Sequence, residues 1–348
     1  MRRVRDLSCG PFRIYLELEL RRVRCRHCGA VKQEQLDFLA DNPRYTRRMA
    51  RDVGRRCRDT SIKHVALELH LDWHTVKELE KEYLREQLRR AGEPRPKVIG
   101  VDEISVRKGQ QYRIVVSDLV RERPIWFDGP DRSQASLERF YEWLGPKRCG
   151  RIELAVMDMW EPFAQATAKR APKAAILYDK FHVIQHLNDA LDEVRRSEYA
   201  RVVSDDERRF IKGQRYTLLS RRAHLSLPGR RALALLLQAN RRLQVAYLLK
   251  ESFDHLWSYQ TEGWAWKFFS NWRESLRWQR LKPYQEFAQM VLRHWDGIAA
   301  YCQSEQKVSL GFVEGLNNKI RVIQRRAYGL RDEDYLRLKV LTSTLPRL

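Results

Sequence analysis

The chain has 348 residues, 43% of them hydrophobic, which is enough for a core shared among two or three domains. Its 67 lysines and arginines against 45 acids leave a net charge of +22. That balance argues against an enzyme of neutral small molecules and for a polyanionic partner, nucleic acid before an anionic membrane surface. No apolar run approaches the ~20 residues of a spanning helix, and MRRVRDLSCG lacks the apolar stretch of a signal peptide, so an intracellular, cytoplasmic protein with no membrane partner is expected. Six cysteines over this length do not suggest a disulfide framework.

Residues 12–24, FRIYLELELRRVR, alternate apolar and polar and lead into CRHCG, the layout of a strand followed by a zinc knuckle. Cys25 and Cys28 are the candidate zinc ligands, and Cys9, His27 and Cys57 do not supply a second CxxC. Spectator thiols are the alternative. Residues 46 to about 90 read as helices. Thr60-Ser61 supplies a cap, Ile62, Val65, Ala66 and Leu69 follow at helical spacing, and His70-Leu71-Asp72-Trp73 forms a turn before the next helix opens. This pattern predicts a helix-turn-helix with Trp73, His74, Thr75 and Lys77 as candidate DNA contacts, set among Arg47, Arg48, Arg51, Arg55, Arg56 and Arg58. An ordinary helical hairpin is the plainer reading. AGEPRPK, residues 91–97, is a linker by composition.

From 97 to 190 strands dominate. KVIGVDEI, QYRIVVSDL and RPIWFDGP come first, followed by the helix SQASLERFYEWLG, the strand RIELAVMDM, the helix EPFAQATAKRA and the strand AAILYDKFHVI. A mixed α/β sheet with helices packed on it is predicted. Residues 190 to about 308 are helical and hold six of the ten tryptophans: Trp257, Trp264, Trp266, Trp272, Trp278 and Trp295. Most of these are expected in the core, with one or two available to stack on a nucleic-acid base.

Asp102 ends the first strand of this region and Asp158 the fourth, so the two carboxylates converge if those strands are neighbours. Glu314, in KVSLGFVEGLNNKIRVIQRRAYG, would share a helical stripe with Asn317 or Asn318, Arg321 and Arg325. Three such acids suit a hard divalent cation and, with it, phosphodiester chemistry. Each has a duller alternative. Asp158 and Glu161 fit a capping box, Asp102 merely ends a strand, and Glu314 is a solvated helical acid.

VIGVDEISVRKGQQYRIVVSDL, AVMDMWEPF, ILYDKFHVIQHLN and SLGFVEGLNNKIRVIQRRAYG together resemble the ISL3 family of bacterial insertion-sequence transposases. The resemblance extends over nearly the whole chain, with CRHCG matching the end of the family's zinc segment and SIKHVALELHLDWHTVK its helix-turn-helix. It implies an RNase H-like catalytic domain interrupted by an all-helical insertion. The expected boundaries are 1–40 for a partial zinc-ribbon-like segment, 41–95 for the helix-turn-helix, 96–190 and 309–348 for the two parts of the catalytic domain, and 191–308 for the insertion.

The resemblance places a DDE triad on Asp102, Asp158 and Glu314 holding Mg2+, with Mn2+ as a substitute. Lys319, Arg321, Arg325 and Arg326 become DNA contacts, and Asp179 and His182 a D-x-x-H motif that organises the site, Asp179 being the rival for the second triad position. Implied partners are the element's terminal inverted repeats and target DNA, bound by a homodimer at the nucleoid. The family's zinc segment begins with an earlier CxxC that is absent here, so a late start codon or a truncated copy is expected. The competing classes are a non-catalytic helix-turn-helix protein, whether a regulator or a decayed copy, and an RNase H-like nuclease that cuts without joining.

Overall fold

The computed structural model describes residues 1–107, 111–303, 311–327 and 330–348, so the boundary expected at 308/309 lies outside the described residues. In chain order the N-terminal elements are β1 (Arg2–Arg5), β2 (Tyr15–Leu18), β3 (Arg22–Arg24), β4 (Val31–Gln33), α1 (Arg47–Arg56), α2 (Ile62–Leu69) and α3 (Trp73–Ala91). The middle of the chain forms β5 (Val98–Arg107), β6 (Gln111–Asp118), β7 (Arg123–Asp128), α4 (Gln134–Leu144), α5 (Pro146–Cys149), β8 (Leu154–Met157), α6 (Glu161–Arg170) and β9 (Ala175–Tyr178). Helices follow: α7 (Lys180–Arg201), α8 (Asp205–Gly213), α9 (Arg215–Leu219), α10 (Leu227–Ala239), α11 (Arg241–Phe253), α12 (Glu262–Ser275), α13 (Lys282–Arg293), α14 (Trp295–Ala299), α15 (Gly311–Arg326) and α16 (Glu333–Thr342).

These elements divide into two compact units, one of Met1–Arg95, Glu103–Asp131 and Gly311–Leu348, the other of Pro96–Asp102 and Arg132–Leu310. The long strands follow the order β7-β6-β5-β8-β9. β6 and β7 are antiparallel, whereas β5 with β8 and β8 with β9 are parallel. All four residues of β8, Leu-Ala-Val-Met, are buried, as a parallel strand covered on both faces requires.

In the first unit, residues 12–24 do not form one strand. β2 pairs with β1, and β3 pairs with β4 across the Cys25–Gly29 turn. Thr46, Ser61 and Asp72 cap α1, α2 and α3 through their side-chain oxygens. Trp73 is therefore helical rather than part of the turn, and the reversal falls on His70, which adopts the left-handed conformation at φ 50°. Met49, Val53, Val65, Leu69, Val76 and Leu79 form the core of the three helices. Gly54 lets α1 approach α3, because a Cβ there would stand 2.2 Å from the Tyr83 ring.

Asp6 is fully buried and accepts hydrogen bonds from the Thr46 hydroxyl at 2.7 Å and from the Arg48 guanidinium. Farther along, Leu316 and Ile320 of α15 and Leu336 and Val340 of α16 pack with Ile104, Val115 and Phe127 of the strands. Tyr83 and Leu84 of α3 meet Tyr335 and Leu338 of α16, and the buried Glu80 accepts from the Tyr335 hydroxyl and from Lys339 at 2.7 Å.

In the second unit, Ser133 caps α4, and Tyr141 bonds Thr167 of α6 at 2.8 Å. α6 begins after Trp160 with no side-chain cap, so the capping box expected from Asp158 and Glu161 is not formed. β9 stops at Tyr178. Asp179 caps α7, which puts His182 on the first turn of a helix and not on a strand. Among the described residues, those from 180 to 302 form helices and no strand, and α7 opens at Lys180, ahead of the start expected at 191. Trp257, Trp272 and Trp295 are buried with Phe253, Phe269 and Phe287, while Trp264, Trp266 and Trp278 are exposed. Half of the six tryptophans, fewer than expected, are core residues. Gly297 on α14 lies against the last residue of β9, where a Cβ would come within 2.4 Å of the Tyr178 ring.

Candidate active site and nucleic-acid interface

Strand register sets the acidic cluster. Val101 is opposite Met157, and Met157 is opposite Tyr178. The next residues, Asp102, Asp158 and Asp179, are therefore in register across three adjacent parallel strands. Asp158 and Asp179 follow the ends of β8 and β9, whereas Asp102, expected to end its strand, lies inside β5, just past the part paired with β8, because β5 runs on to Arg107. Asp102 and Asp158 each bring a carboxylate oxygen within 4.8 Å of the other, and Asp158, Asp179 and His182 form a second such group. All four are half-buried. Oxygens this close, on a chain already basic elsewhere, match the donor set of a hard divalent cation.

His182 ties the two groups together. Its Nδ1 is in ion-pair contact with the Asp158 carboxylate and lies 3.2 Å from Oδ2 of Asp179. Burial opposes a charged imidazole, but the two carboxylates outweigh it and raise the His182 pKa to about 10. An imidazolium consequently stands between the two acids at neutral pH. Asp179 is the more committed of the pair, because its Oδ1 also accepts the Phe181 amide at 2.8 Å as the cap of α7. Asp158 has no capping duty. Sequence reasoning did not single out Trp160 and Phe181, two large aromatic side chains that follow Asp158 and Asp179 by two residues and are 39% and 59% exposed.

Glu314 belongs to the first unit, on the first turn of α15. It is exposed, as are Asn318, Arg321 and Arg325, whereas Leu316 and Ile320 turn into the core. Asn317 is half-buried, so the exposed stripe runs through Asn318. Arg321 donates to Oδ1 of Asn318 at 3.2 Å. Two of the expected DNA contacts are used inside the fold. Lys319 donates to the Ser343 carbonyl at 2.6 Å, and Arg326 to the Arg58 carbonyl at 2.9 Å. Burial, with Arg58 nearby, lowers the Lys319 pKa.

In the helix-turn-helix, Trp73 and His74 are exposed with ring centroids 3.5 Å apart, and Thr75 is half-buried. Lys77 is engaged elsewhere, its ammonium lying 2.5 Å from the carboxylate of Asp332, the cap of α16. Burial alone would raise the Asp332 carboxyl, but the bond from Lys77 and the Tyr335 amide bring it down to about 2. Lys81 and Arg85, farther along α3, pair with Asp334 at 3.2 Å.

Cys25 and Cys28 close the β3–β4 hairpin. The Cys25 sulfur accepts the backbone amides of Cys28 and His27, which lowers its pKa. Among the described residues, neither cysteine joins a group of three potential metal ligands. No helix among them is long and apolar enough to cross a membrane.

Comparison with known proteins fits this arrangement. A family model described as a transposase matches residues 99–340, and one for the helix-turn-helix domain of transposase family ISL3 matches residues 34–84. The chain is 34% identical over 342 residues to the transposase for insertion sequence element IS1001 of Bordetella parapertussis, covering 98% of this chain and 84% of that one. It is 26% identical over 359 residues to the transposase for insertion sequence element IS1557 of Mycobacterium tuberculosis, covering 97% and 80%. The matched domains imply DNA binding, DNA cleavage and transfer, and use of a divalent metal, for which the acidic cluster supplies suitable donors. A family match over most of its length and a close relative over nearly all of it establish that the chain belongs to the ISL3 family of insertion-sequence transposases.

Proposed function

We propose that the protein binds the terminal inverted repeats of its own element, cleaves DNA at the element's ends, and joins the freed 3′-hydroxyl to target DNA by a DDE mechanism. The observation that carries this reading is the in-register placement of Asp102 and Asp158, each directly after the paired stretch of the parallel strands β5 and β8. Asp102 and Asp158, with Glu314 as the third acid of the family pattern, would hold Mg2+, or Mn2+ in its place. A bound divalent cation would activate the attacking water or 3′-hydroxyl and stabilise the leaving oxygen. His182, fixed by Asp179, orients the Asp158 carboxylate and balances its charge.

The strand order β7-β6-β5-β8-β9 supports an RNase H-like catalytic domain, made of residues 96–190 and 309–348 and interrupted by the helices of 191–308. Trp73 and His74 present the base-reading end of α3, and Arg321 and Arg325 supply phosphate contacts. The amide-bonded Cys25 sulfur supports a zinc knuckle with Cys28. Two element ends have to be brought together, for which a homodimer is the simplest assembly.

The test is incubation of the purified chain with supercoiled plasmid carrying the element's ends, in Mg2+ or EDTA, beside Asp102→Asn. Metal-dependent cleavage and joined products, both absent in the variant, are expected. Tight binding to the ends without cleavage in any metal would instead leave a non-catalytic DNA-binding protein, and cutting without joining a nuclease.

A further inference from the structure

The second unit contains a cavity of about 560 Å3 that begins at Asp179 and runs along α7. One wall is a stripe of α7, from Phe181 through Ile184 to Asn188, and the opposite wall carries Leu219, Arg221 and Tyr301. The space is built rather than incidental. The ammonium of Lys250, only 6% exposed, holds the carbonyls of Leu218, Leu219 and Ser220 at 3.2, 3.3 and 2.8 Å, which fixes the far wall. At the near end, the cap between Asp179 and the Phe181 amide fixes the start of the stripe.

Its chemistry combines flat apolar surface with mostly paired charges. Phe181 leaves 59% of its area exposed directly beside the acidic cluster, a costly position for an aromatic ring unless something covers it. The Lys180 ammonium sits 5.8 Å from the Tyr301 ring centroid, while Arg221 and Lys250 are paired with Asp254 at 2.8 Å and Glu251 at 3.1 Å, acids that also line the cavity. Aromatic faces and a carboxamide within a lining whose charges are largely paired are what a planar, uncharged base would require. The volume lies within the range of pockets that enclose a small ligand.

We propose that this cavity receives a single unstacked nucleotide of the DNA strand being cut, an inference that rests on the active-site reading above. A strand with its phosphate at the aspartates passes Asp179, so the nearest base able to leave the stack meets Phe181 first. The base stacks on Phe181, and the carboxamide of Asn188 is the hydrogen-bonding group deeper along the stripe. The cavity thus selects a strand opened next to the cut over a fully paired one.

The experiment uses the full chain in EDTA with duplexes of the element's ends, carrying 2-aminopurine at each of the few positions flanking the cut. One position is expected to brighten several-fold as its base leaves the stack. Ile184→Trp, which places an indole in the cavity, should abolish that brightening and lower cleavage in Mg2+ about a hundredfold. An abasic nucleotide at the same position should restore cleavage by Ile184→Trp, a rescue that a misfolded variant could not show. Phe181→Ala, a change at an exposed side chain, should cost about tenfold. The proposal is overturned if no position brightens, if Ile184→Trp brightens and cleaves as the unmodified chain does, or if the abasic substrate gives no rescue. Asp102→Asn, run in parallel, separates the two levels: cleavage by that variant would remove the active-site reading itself, whereas an inactive Asp102→Asn beside an unaffected Ile184→Trp would remove only the cavity.

Discussion

The ammonium of Lys77 lies 2.5 Å from the carboxylate of Asp332, so a lysine on the last helix of the helix-turn-helix is already neutralised within the protein. Asp332 competes with phosphate for that charge. Asp332→Asn should leave α16 capped, since asparagine caps as well as aspartate, while releasing Lys77. Affinity for the element's ends at low salt is expected to rise several-fold, and the slope of log affinity against log salt to steepen by about 0.9, the value for one added phosphate contact. Asp334→Asn, which releases charge farther down α3, should change neither. An unchanged slope in Asp332→Asn would show that Lys77 stays away from the backbone.

Asp158 and Asp179 share His182, but only Asp179 caps a helix. Asp179→Asn keeps a capping oxygen, so the first turn of α7 should survive and cleavage should fall by about tenfold through misorientation of His182. Asp158→Asn is expected to cost about a thousandfold or more with little change in DNA affinity. Single-turnover cleavage of end-labelled substrate measures both, and the reverse ranking would move the second acid to Asp179.

Asp6 links the N-terminal strand to α1. The Arg48 guanidinium, against the opposing effect of burial and with help from the Thr46 hydroxyl, holds its carboxyl well below the usual carboxylate range. A lowered folded pKa stabilises the protein fully above the unfolded value of about 4, and that stability is lost as pH falls through the folded value. The urea midpoint of the intact chain should therefore drop below about pH 4, and Asp6→Asn should flatten that part of the profile. At pH 7 the variant should be less stable by about 1–2 kcal/mol, since Arg48 is well exposed to solvent screening whereas Thr46 is buried.

The Cys25 thiol, lowered by two backbone amides, should react with a disulfide reagent faster at neutral pH than the exposed Cys9. Added Zn2+ should protect Cys25 and Cys28 together, leaving the rate at Cys9 unchanged. Protection of neither cysteine at micromolar zinc would mark the hairpin as a plain turn.

The cores of β5 and β8 were legible because Val98-Ile99-Gly100-Val101 and Leu154-Ala155-Val156-Met157 are short apolar runs that meet an aspartate. The aspartate does end β8, but β5 passes Asp102 and continues to Arg107, where Ile104 and Val106 prolong the alternation. The end of β9 was hidden in a different way. Phe181, Val183 and Ile184 prolong the apolar pattern after Asp179, although Val183, Leu187, Leu191 and Val194 repeat at helical spacing and Asp179 is a good cap. The helix-turn-helix was readable from caps and period, but not the fate of Lys77, whose partner is remote in sequence and becomes a neighbour only because α3 packs on α16. Exposure of Trp264, Trp266 and Trp278 was equally hidden, since local sequence does not say which side of a helix finds a neighbour.

The close approach of Gly297 to Tyr178 has a consequence for how far such a protein can be trimmed. α14 comes from the far end of the helical region, yet it rests on the strand that ends one residue before Asp179. Deleting the helices would strip the cover from β9 and loosen the footing of the acid and histidine beside it. A miniature protein made by excising that region would therefore lose the support behind the Asp179–His182 turn.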